Sequence, residues 1–520
     1  MKKVFAIMLA LVLALGILAA CSGDTSSSTG TSSSSGSSSQ PADSSVGGDD
    51  GGIDLSAQEP VTLEVYAITF GSNLDSLPAV NKAVNDYVQP LLNIEVNLHI
   101  MDFASANQQL NLMMSGSEPV DLMISSGRVI TAYYAQGALN SLEDAINTYG
   151  QGIVEMYGDG IMDACRLGGD YYMVPSGLPS PRTVGFIYSE AINQQYGLGL
   201  ENAKNLDDIE ACLAKLKEEA PEVVGVFGNS SLSFFGLWDW DDLGNTYGVL
   251  MNGGNNLDVV NLYETDKYRQ LCEQMHDWYQ KGYIYSEAAT SAITLPDMFK
   301  AGNTLGQFSG VTAYSDEQHS QMFGTEIRHV TLTEGFIATA PIQQSAWVVP
   351  HNATDPDRSV QFLNLMVTDP YLSNLLTYGI EGEDYRVVDA ANDVIGYVEG
   401  RDANTKTWDN SMGWTWGPKT IQYIWEGEQL DIRELTMQDI DNAKYSKAAG
   451  FTFDPTDVEN ELTACANVYA RYGVGLECGS VDPAVVLPEF INELKAAGVD
   501  TIIAAKQAQL DAWALENGAA

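Results

Sequence analysis

Two short stretches of the chain place tryptophan beside acidic or very small residues: FGLWDWDD at 235–242 and SMGWTWGP at 411–418. A flat indole ring stacks on an apolar face, and a carboxylate accepts hydrogen bonds from hydroxyl groups. A sugar offers both surfaces, because it has C–H faces and a rim of hydroxyls. The candidate ligand-binding residues in these stretches are Trp238, Trp240, Asp241, Trp414 and Trp416.

Both stretches also have simpler explanations. Tryptophan is usually buried, so either pair could instead close a hydrophobic core. The aspartates from 239 to 242 have some likeness to a calcium-binding loop, but Leu243 stands where a ligand belongs and Gly244 is displaced. The five histidines show no spacing typical of a metal site. We therefore predict neither a metal nor another cofactor.

Strands and helices alternate from residue 60 onward, and they must position the candidate residues. Apolar residues alternate in VTLEVYA (61–67) and in IEVNLHI (94–100), as they do in strands, and they follow helical spacing between 80 and 91. The short apolar run VDLMI at 120–124 is typical of a further strand. This order predicts an α/β fold that contains a parallel sheet.

Ligands of open α/β sheets bind beyond the carboxyl ends of the strands. Here those ends lead into two loops with short hydroxyl and amide side chains, at 68–73 and 125–128. Such groups suit an uncharged polar ligand, although they are also common in ordinary loops. The candidates in and just after these loops are Phe70, Ser72, Asn73, Ser126, Arg128 and Tyr133, with Tyr134 beside the last.

The first residues predict export from the cytoplasm. Two lysines precede an apolar run at 4–20, which has the form of a secretory signal peptide and is short for a membrane span of about 20 residues. Its end, LAAC at 18–21, resembles the lipobox of bacterial lipoproteins, in which the cysteine is lipidated after cleavage. We predict a signal peptide at 1–20, a lipid on Cys21 and a disordered Ser/Gly tether to residue 58. An ordinary secretory signal with an incidental cysteine is the alternative.

The composition predicts an acidic globular protein. The formal net charge is −44, with 45% hydrophobic and 18% charged residues, which disfavours binding to nucleic acid or to anionic lipid. Beyond Cys21 no CxxC motif occurs, and we expect free, mostly buried thiols, although Cys465 and Cys478 are close enough in sequence to pair. The five cysteines concerned are Cys165, Cys212, Cys272, Cys465 and Cys478.

Three further regions together resemble a known family, the extracellular solute-binding lipoproteins of bacterial ABC importers, in its sugar-binding branch. The first is 120–146, and the second combines MFKAGNTLGQFSGVTAYS at 298–315 with 344–370. The third runs from LLTYGIEGEDYRVVD at 375–389 to 450–513. This last region resembles a C-terminal domain of unknown function that one subgroup of large sugar-binding lipoproteins carries.

The resemblance implies a two-lobed α/β fold of the periplasmic-binding-protein type (type II), with hinge crossovers and a ligand held between the lobes. It implies an ABC permease as partner, and it adds Tyr314, which takes the place of a stacking aromatic in the family. The predicted units are lobe 1 at 59–182 with 300–343, lobe 2 at 183–299 with 344–449, and a helical C-terminal domain associated with lobe 2 at 450–520.

We therefore expect a monomeric, membrane-anchored, extracytoplasmic binding protein. It would capture a carbohydrate, most specifically an oligosaccharide, and deliver it to an ABC permease. A peptide ligand, a surface glycoside hydrolase and a sensor that reports to a kinase are the alternatives. Carboxylates are plentiful, but no motif singles out a catalytic pair and no G-x-S-x-G nucleophile motif is present, so we do not expect an enzyme.

If Cys21 carries the lipid, Cys21→Ser will release the protein from the membrane fraction into the medium, because serine offers no thiol for attachment. Immunoblots of both fractions measure this. Ser22→Ala is the matched control and should leave the protein in the membrane fraction. Retention of the Cys21→Ser protein in the membrane would contradict the lipoprotein prediction.

Overall fold

The computed structural model describes residues 54–69, 73–114, 116, 118–228, 239–290, 293, 295–402, 405–409 and 413–518. Among these residues, no helix has both the length and the apolar character needed to cross a bilayer. The strands, in chain order, are β1 (Val61–Thr69), β2 (Ile94–Asp102), β3 (Leu122–Ser125), β4 (Arg166–Leu167), β5 (Asp170–Tyr171), β6 (Val174–Pro175), β7 (Val184–Ser189), β8 (Val224–Val226), β9 (Thr304–Gly310), β10 (Ile327–Thr331), β11 (Phe336–Ile337), β12 (Ala346–Val348), β13 (Tyr385–Asp389), β14 (Val394–Tyr397), β15 (Ile424–Trp425) and β16 (Lys444–Tyr445).

The α-helices alternate with these strands in the first half of the chain and dominate its end. In chain order they are α1 (Leu77–Leu92), α2 (Phe103–Met114), α3 (Gly127–Ala135), α4 (Glu143–Tyr149), α5 (Gln151–Tyr157), α6 (Asp159–Asp163), α7 (Glu190–Tyr196), α8 (Leu206–Glu219), α9 (Asp266–Gln280), α10 (Leu295–Lys300), α11 (Ser315–Phe323), α12 (Thr339–Gln343), α13 (Pro356–Thr368), α14 (Pro370–Tyr378), α15 (Ile432–Asn442), α16 (Glu459–Glu477), α17 (Pro483–Ala496) and α18 (Val499–Glu516).

The first sheet has the strand order β2-β1-β3-β12-β6. β1 lies parallel to β2 and β3, whereas β12 enters antiparallel between β3 and β6. The alternation read from the sequence of β1 buries Leu63, Val65 and Ala67, and the apolar stripe of α1, with Val80 and Val84, belongs to the same core. The predicted strand, helix and strand between residues 61 and 100 are therefore confirmed.

The second sheet has the strand order β10-β7-β9-β8. β7 lies antiparallel to both β9 and β10, and β8 lies parallel to β9. A second hydrophobic core covers one face of this sheet and contains the apolar faces of α8 and α9. A smaller cluster, which includes Ile187 and Ile327, covers the other face. Two sheets with separate cores form the two lobes of the α/β fold that the sequence predicts.

The predicted lobe boundaries are wrong for the later segments of each lobe. Residues 304–331 carry β9 and β10 of the second sheet, although we assigned 300–343 to lobe 1. Residues 346–348 form β12 of the first sheet, and α13 and α14 join the first core, although we assigned 344–449 to lobe 2. Apolar alternation identifies a buried strand, but it does not identify the sheet that the strand joins.

In the described part of the chain, three crossovers connect the two lobes: the first at 176–183, the second at 332–345 and the third at 444–447. They are hydrogen-bonded to one another. Arg182, in the first crossover (176–183), exchanges backbone hydrogen bonds of 2.7 and 3.2 Å with Phe336 in the second. The second crossover is paired with the third where β11 lies parallel to β16. We call Arg182, β11 and β16 the hinge ribbon.

The C-terminal segment is helical. Helices α16, α17 and α18 share the second core with α9, so this segment packs on the second lobe. The five cysteines between residues 165 and 478 are free and buried, which confirms the prediction made for them. Burial raises the pKa of the Cys465 thiol to about 11 and also raises the pKa of Cys165 and Cys272.

β2 is an edge strand, and two asparagines of α1 satisfy its backbone groups. Asn85 Oδ1 accepts a hydrogen bond from the Val96 amide at 2.7 Å, and Asn85 Nδ2 donates to the Val96 carbonyl at 2.8 Å. Asn81 Oδ1 accepts from the Leu98 amide at 2.8 Å. The helix thus covers part of an edge that could otherwise pair with another chain.

Asn85→Ala should lower the free energy of unfolding by about 1–3 kcal/mol, because both backbone groups of Val96 lose their partner in a part-buried setting. Urea denaturation followed by circular dichroism measures the loss. Asn147→Ala, on the exposed side of α4, is the control and should change stability by less than about 0.5 kcal/mol. Equal losses for the two variants would contradict this account of the edge.

Candidate functional site

Both sheets direct the carboxyl ends of strands toward the crossovers. In the first sheet, β1, β3 and β6 run in the same direction, and β6 ends at Pro175, where the first crossover begins. In the second sheet β9 ends at Gly310, opposite Val184, where the first crossover ends. A ligand that uses the strand ends of both lobes therefore binds beside the hinge ribbon.

A pocket lies against the first crossover at this position. Its volume is about 330 Å³, within the range of roughly 300–1,000 Å³ that ligand sites have. One wall is the crossover, and the other is formed by the end of β9, the turn after it and the first half of α11. The lining residues are Ser180, Pro181, Arg182, Thr183, Gly310, Val311, Thr312, Tyr314, Ser315, Gln318 and His319.

Tyr314 is the predicted ligand residue that lines this pocket. It directly precedes α11, it is half-buried, and its ring packs against apolar side chains of β14, β15 and α15. The neighbouring Ala313 amide donates a hydrogen bond of 2.8 Å to Asp439 of α15. The turn before α11 is thus held on its outer side, which fixes the position of the tyrosine.

The pocket offers neutral hydrogen-bonding groups. The Arg182 side chain is ion-paired with Asp242 at 3.1 Å, so a carboxylate of the protein already balances its charge. Burial lowers the pKa of His319, which keeps its imidazole neutral near pH 7. His319 Nδ1 lies 2.7 Å from the Ser315 carbonyl and must carry the proton there, because a carbonyl only accepts. Nε2 is then an acceptor.

On the first lobe, Asp409 contacts the described residues on either side of 70–72, Thr69 and Asn73. The Thr69 hydroxyl donates to the Asp409 carbonyl at 3.1 Å, and the Asp409 amide donates to the Asn73 carbonyl at 2.8 Å. Asn73 Oδ1 accepts from the Asp75 amide, so this predicted residue stabilises its own turn. Ser126 lies exposed at the start of α3, and its side chain makes no capping hydrogen bond.

Four predicted ligand residues are buried, and their predicted role is corrected. Trp240 and Trp416 have no exposed surface and belong to the second and first cores respectively, so neither ring offers a face to a sugar. Tyr133 is 4% exposed within the first core. Asp241 is 3% exposed, and its backbone pairs with that of Leu250.

The turn at 413–417 packs inward because its polar groups find partners in the first lobe. The Trp416 carbonyl accepts from the Ser373 hydroxyl at 2.7 Å, and the Thr415 carbonyl accepts from the Trp347 indole at 3.0 Å. The rings of Trp347 and Trp416 lie 5.3 Å apart. Gly417 has a φ of +111°, which lets the chain turn under α13.

Several predicted residues lie outside this description. Phe70, Ser72, Trp238 and Cys21 are outside the described residues, together with the signal peptide and most of the tether. Arg128 and Trp414 fall within described turns of helix, but their side chains are outside the description. Their predicted roles remain predictions.

Sequence reasoning missed three residues that line the pocket, Arg182, Gln318 and His319. It also missed Asp409, which contacts Thr69 and Asn73 in the first lobe. His319 stands in the sequence as an ordinary histidine, without metal-ligand spacing. Arg182 follows Pro181 in a short stretch between two apolar strands, which is a signal for a crossover. Nothing near Asp409 in sequence indicates that it meets the loop after β1.

Comparison with known proteins now identifies the family. Residues 72–371 match the bacterial extracellular solute-binding proteins. The chain belongs to this family. Residues 447–515 match DUF3502, a domain of unknown function. The resemblance to the solute-binding family and that of the C-terminal region to a domain of unknown function are therefore confirmed. As an extracellular solute-binding protein, the chain works outside the cytoplasm.

Individual relatives agree with this assignment. A carbohydrate ABC transporter substrate-binding protein of Streptococcus pneumoniae serotype 4 is 24% identical over 457 residues, which cover 88% of this chain and 91% of the relative. The crystal structure of the N-glycan transport solute binding protein NgtS from S. pneumoniae has a TM-score of 0.74 at 22% identity and covers 87% of this chain and 98% of that one.

NgtS has also been solved in complex with glycans. Its complex with Man5GlcNAc has a TM-score of 0.60 at 22% identity and covers 88% of this chain and 99% of that one. These structural neighbours are type II solute-binding proteins, so the predicted fold class is confirmed.

Trp416→Ala should lower the free energy of unfolding by about 3–5 kcal/mol, because it leaves a cavity beside Trp347 in the first core. The urea midpoint measures this loss. Tyr371→Ala, whose side chain is 54% exposed, serves as the aromatic control and should lose less than about 1 kcal/mol. A wild-type midpoint for Trp416→Ala would contradict the core assignment.

Proposed function

We propose that this solute-binding protein is the membrane-anchored receptor of an ABC importer, and that it captures an oligosaccharide between its two lobes. The observation that carries the proposal is a neutral, hydroxyl-rich pocket with one side-chain amide and one tyrosine ring, at the point where the strand ends of the second lobe meet the hinge. Family membership indicates how the protein acts, and the chemistry of the pocket supports a carbohydrate as its class of ligand.

The relatives support the choice of ligand. The S. pneumoniae relative that aligns over most of the chain is described as a carbohydrate ABC transporter substrate-binding protein. NgtS, which has the same fold, has been solved with Man1GlcNAc and with Man5GlcNAc. We infer a carbohydrate for this chain, and an oligosaccharide in particular.

The chemistry of the pocket favours a sugar over a peptide. Each end of a peptide carries a full charge, and a site for it would offer opposite charges. Here the Arg182 charge is balanced by Asp242, and His319 is held neutral by burial. Hydroxyls of a sugar can bond with Thr312, Ser315 and Gln318, while the Tyr314 ring can pack on a C–H face.

Delivery requires a membrane permease and a means to stay near it. A lipid on Cys21, followed by the Ser/Gly-rich segment, would hold the lobes above the membrane. A flexible chain of that length has a root-mean-square reach of about 30–35 Å. We infer that the protein acts as a monomer and performs no chemistry on its ligand, so the sugar is released unchanged.

Titration calorimetry of residues 22–520 with Man1GlcNAc, Man5GlcNAc, neutral linear oligosaccharides and a tripeptide pool tests the proposal. We expect one glycan class to bind and to be recovered unchanged by mass spectrometry. Ligand at one hundred times its dissociation constant adds about 2.7 kcal/mol to stability, so a thermal shift provides a second readout. Binding of peptides alone, or cleavage of a glycan, would overturn it.

Variants of the pocket test its location. Tyr314→Ala and Gln318→Ala should each weaken binding of that glycan at least tenfold, about 1.4 kcal/mol, because they remove a packing face or a hydrogen-bonding group. Gln280→Ala, an exposed glutamine at the end of α9, is the matched control and should leave the affinity unchanged. Wild-type affinity in both pocket variants would place the ligand elsewhere.

A further inference from the structure

A lysine of the C-terminal domain is fully buried and bound to backbone oxygens of the second lobe. Lys506, in α18, has no exposed surface. Its Nζ donates hydrogen bonds to the carbonyl oxygens of Asp242, Asn245 and Gly248, at 3.0, 2.7 and 2.8 Å. An ammonium group carries three protons and accepts nothing, so these three carbonyls match its donors.

A charged residue is an unusual choice for a position that only fills a core. The buried residues of α18 form one stripe, in which an apolar side chain is expected at each position: Val499, Ile502, Lys506, Leu510 and Ala514. Desolvation of an ammonium group costs several kcal/mol, and methionine would fill similar volume without that cost. The ammonium group, unlike methionine, can bind the three carbonyls and so fix the backbone of residues 242–248.

Gln507, the next residue, also binds backbone groups of this segment. Gln507 Oε1 accepts from the Val259 amide at 2.8 Å, and Gln507 Nε2 donates to the Leu257 carbonyl at 2.9 Å. Gly248, at a φ of +113°, brings its backbone so close to α18 that a Cβ there would lie 3.2 Å from the lysine side chain. Side chains of α18 therefore bind the backbone of the segment from 242 to 259 and hold it in place.

The held segment overlaps residues 239–254, which we call the hinge loop. The hinge loop contacts all three crossovers. Asp242 forms the ion pair of 3.1 Å with Arg182 of the first crossover. Gly253 packs so closely on Phe336 of the second that a Cβ would lie 3.2 Å from its ring. The Gly254 carbonyl accepts a hydrogen bond of 2.8 Å from the Lys447 amide, just beyond β16.

We propose that Lys506 is a positioning residue for ligand capture. Through the hinge loop it ties the C-terminal domain to the hinge ribbon, and so it sets the balance between open and closed lobes. Closure requires backbone changes in the crossovers, and a loop held against all three of them determines which arrangements are favourable. Because a ligand between the lobes binds the closed arrangement, a shift in this balance changes its apparent affinity. This inference rests on the proposed function.

The first test does not need a ligand. In Lys506→Met we expect faster hydrogen–deuterium exchange in residues 239–254 and in the first crossover, with unchanged protection in α1 of the first lobe. Lys495→Met is the matched control: it removes an exposed lysine of the same domain, ion-paired with Glu264 at 2.5 Å, and should leave the hinge loop unaffected. Acceleration confined to α18 would overturn the proposal.

The second test measures binding of whichever glycan the wild-type chain binds. Lys506→Met should change its dissociation constant at least tenfold, whereas Lys495→Met should stay within twofold. Faster exchange in the hinge loop with a wild-type dissociation constant would overturn the positioning role. If the wild-type chain binds none of the glycans, the proposed function fails, and the exchange experiment still decides whether Lys506 controls the hinge.

Asp242→Asn covers the case in which Lys506→Met unfolds. It removes the ion pair with Arg182 but keeps the Asp242 carbonyl that Lys506 binds. We expect faster exchange in residues 176–183 and a changed dissociation constant. No effect of Asp242→Asn on exchange or on the dissociation constant would overturn the proposal. If Lys506→Met folds, we also expect the effects of the two substitutions on binding to be non-additive, because both act through one loop, and additive effects would overturn the proposal.

Discussion

The hydrogen bonds that join the three crossovers set the arrangement of everything else. Arg182 pairs with Phe336, and β11 pairs with β16, so the chain returns to one narrow ribbon each time it changes lobe. β7 begins two residues after Arg182, and its register with β9 starts at Val184 opposite Gly310. The hinge ribbon therefore determines the positions of the pocket, of Tyr314 and of the ion pair of Arg182.

Two of the scarce cations of this acidic chain bind backbone carbonyls from buried positions. Lysine and arginine number 25 against 69 acidic residues. Among the residues that the structure describes, Arg358 in the first lobe and Lys506 in the second are almost completely buried. Arg358 donates to the carbonyls of Leu92 and Asn93 where α1 ends, and Lys506 donates to three carbonyls of the hinge loop. Each cation thus holds a turn of the backbone in place.

Local patterns in the sequence were sufficient to predict the strands and helices. They were insufficient to predict which sheet or core each element joins. The alternation in β1 and β2 and the helical spacing of α1 predicted these elements, because each buries one face against a single core. The lobe to which β9 or β12 belongs depends on contacts far apart in sequence, so those boundaries were wrong. The family resemblance supplied the overall fold correctly, although it did not correct the boundaries.

The candidate site was harder to predict than the fold. Tyr314 was found through the family pattern, whereas Trp240 and Trp416 were chosen for their composition and are buried. Glycines around Trp416 indicated a loop, but the chain uses Gly417 to turn the indole inward. Lys506 had a signal that passed unnoticed: it stands on the apolar stripe of α18, where a lysine must have partners or be excluded from the core.

The buried cysteines have a consequence for the stability of this protein outside the cytoplasm. Oxidants attack the thiolate, and burial both shields these sulfurs and raises the pKa of Cys165, Cys272 and Cys465, so little thiolate forms. The folded chain is therefore protected by packing and not by disulfides. Once it unfolds in an oxidising medium, five thiols become available to pair at random, and scrambled disulfides would then block the return to the native state.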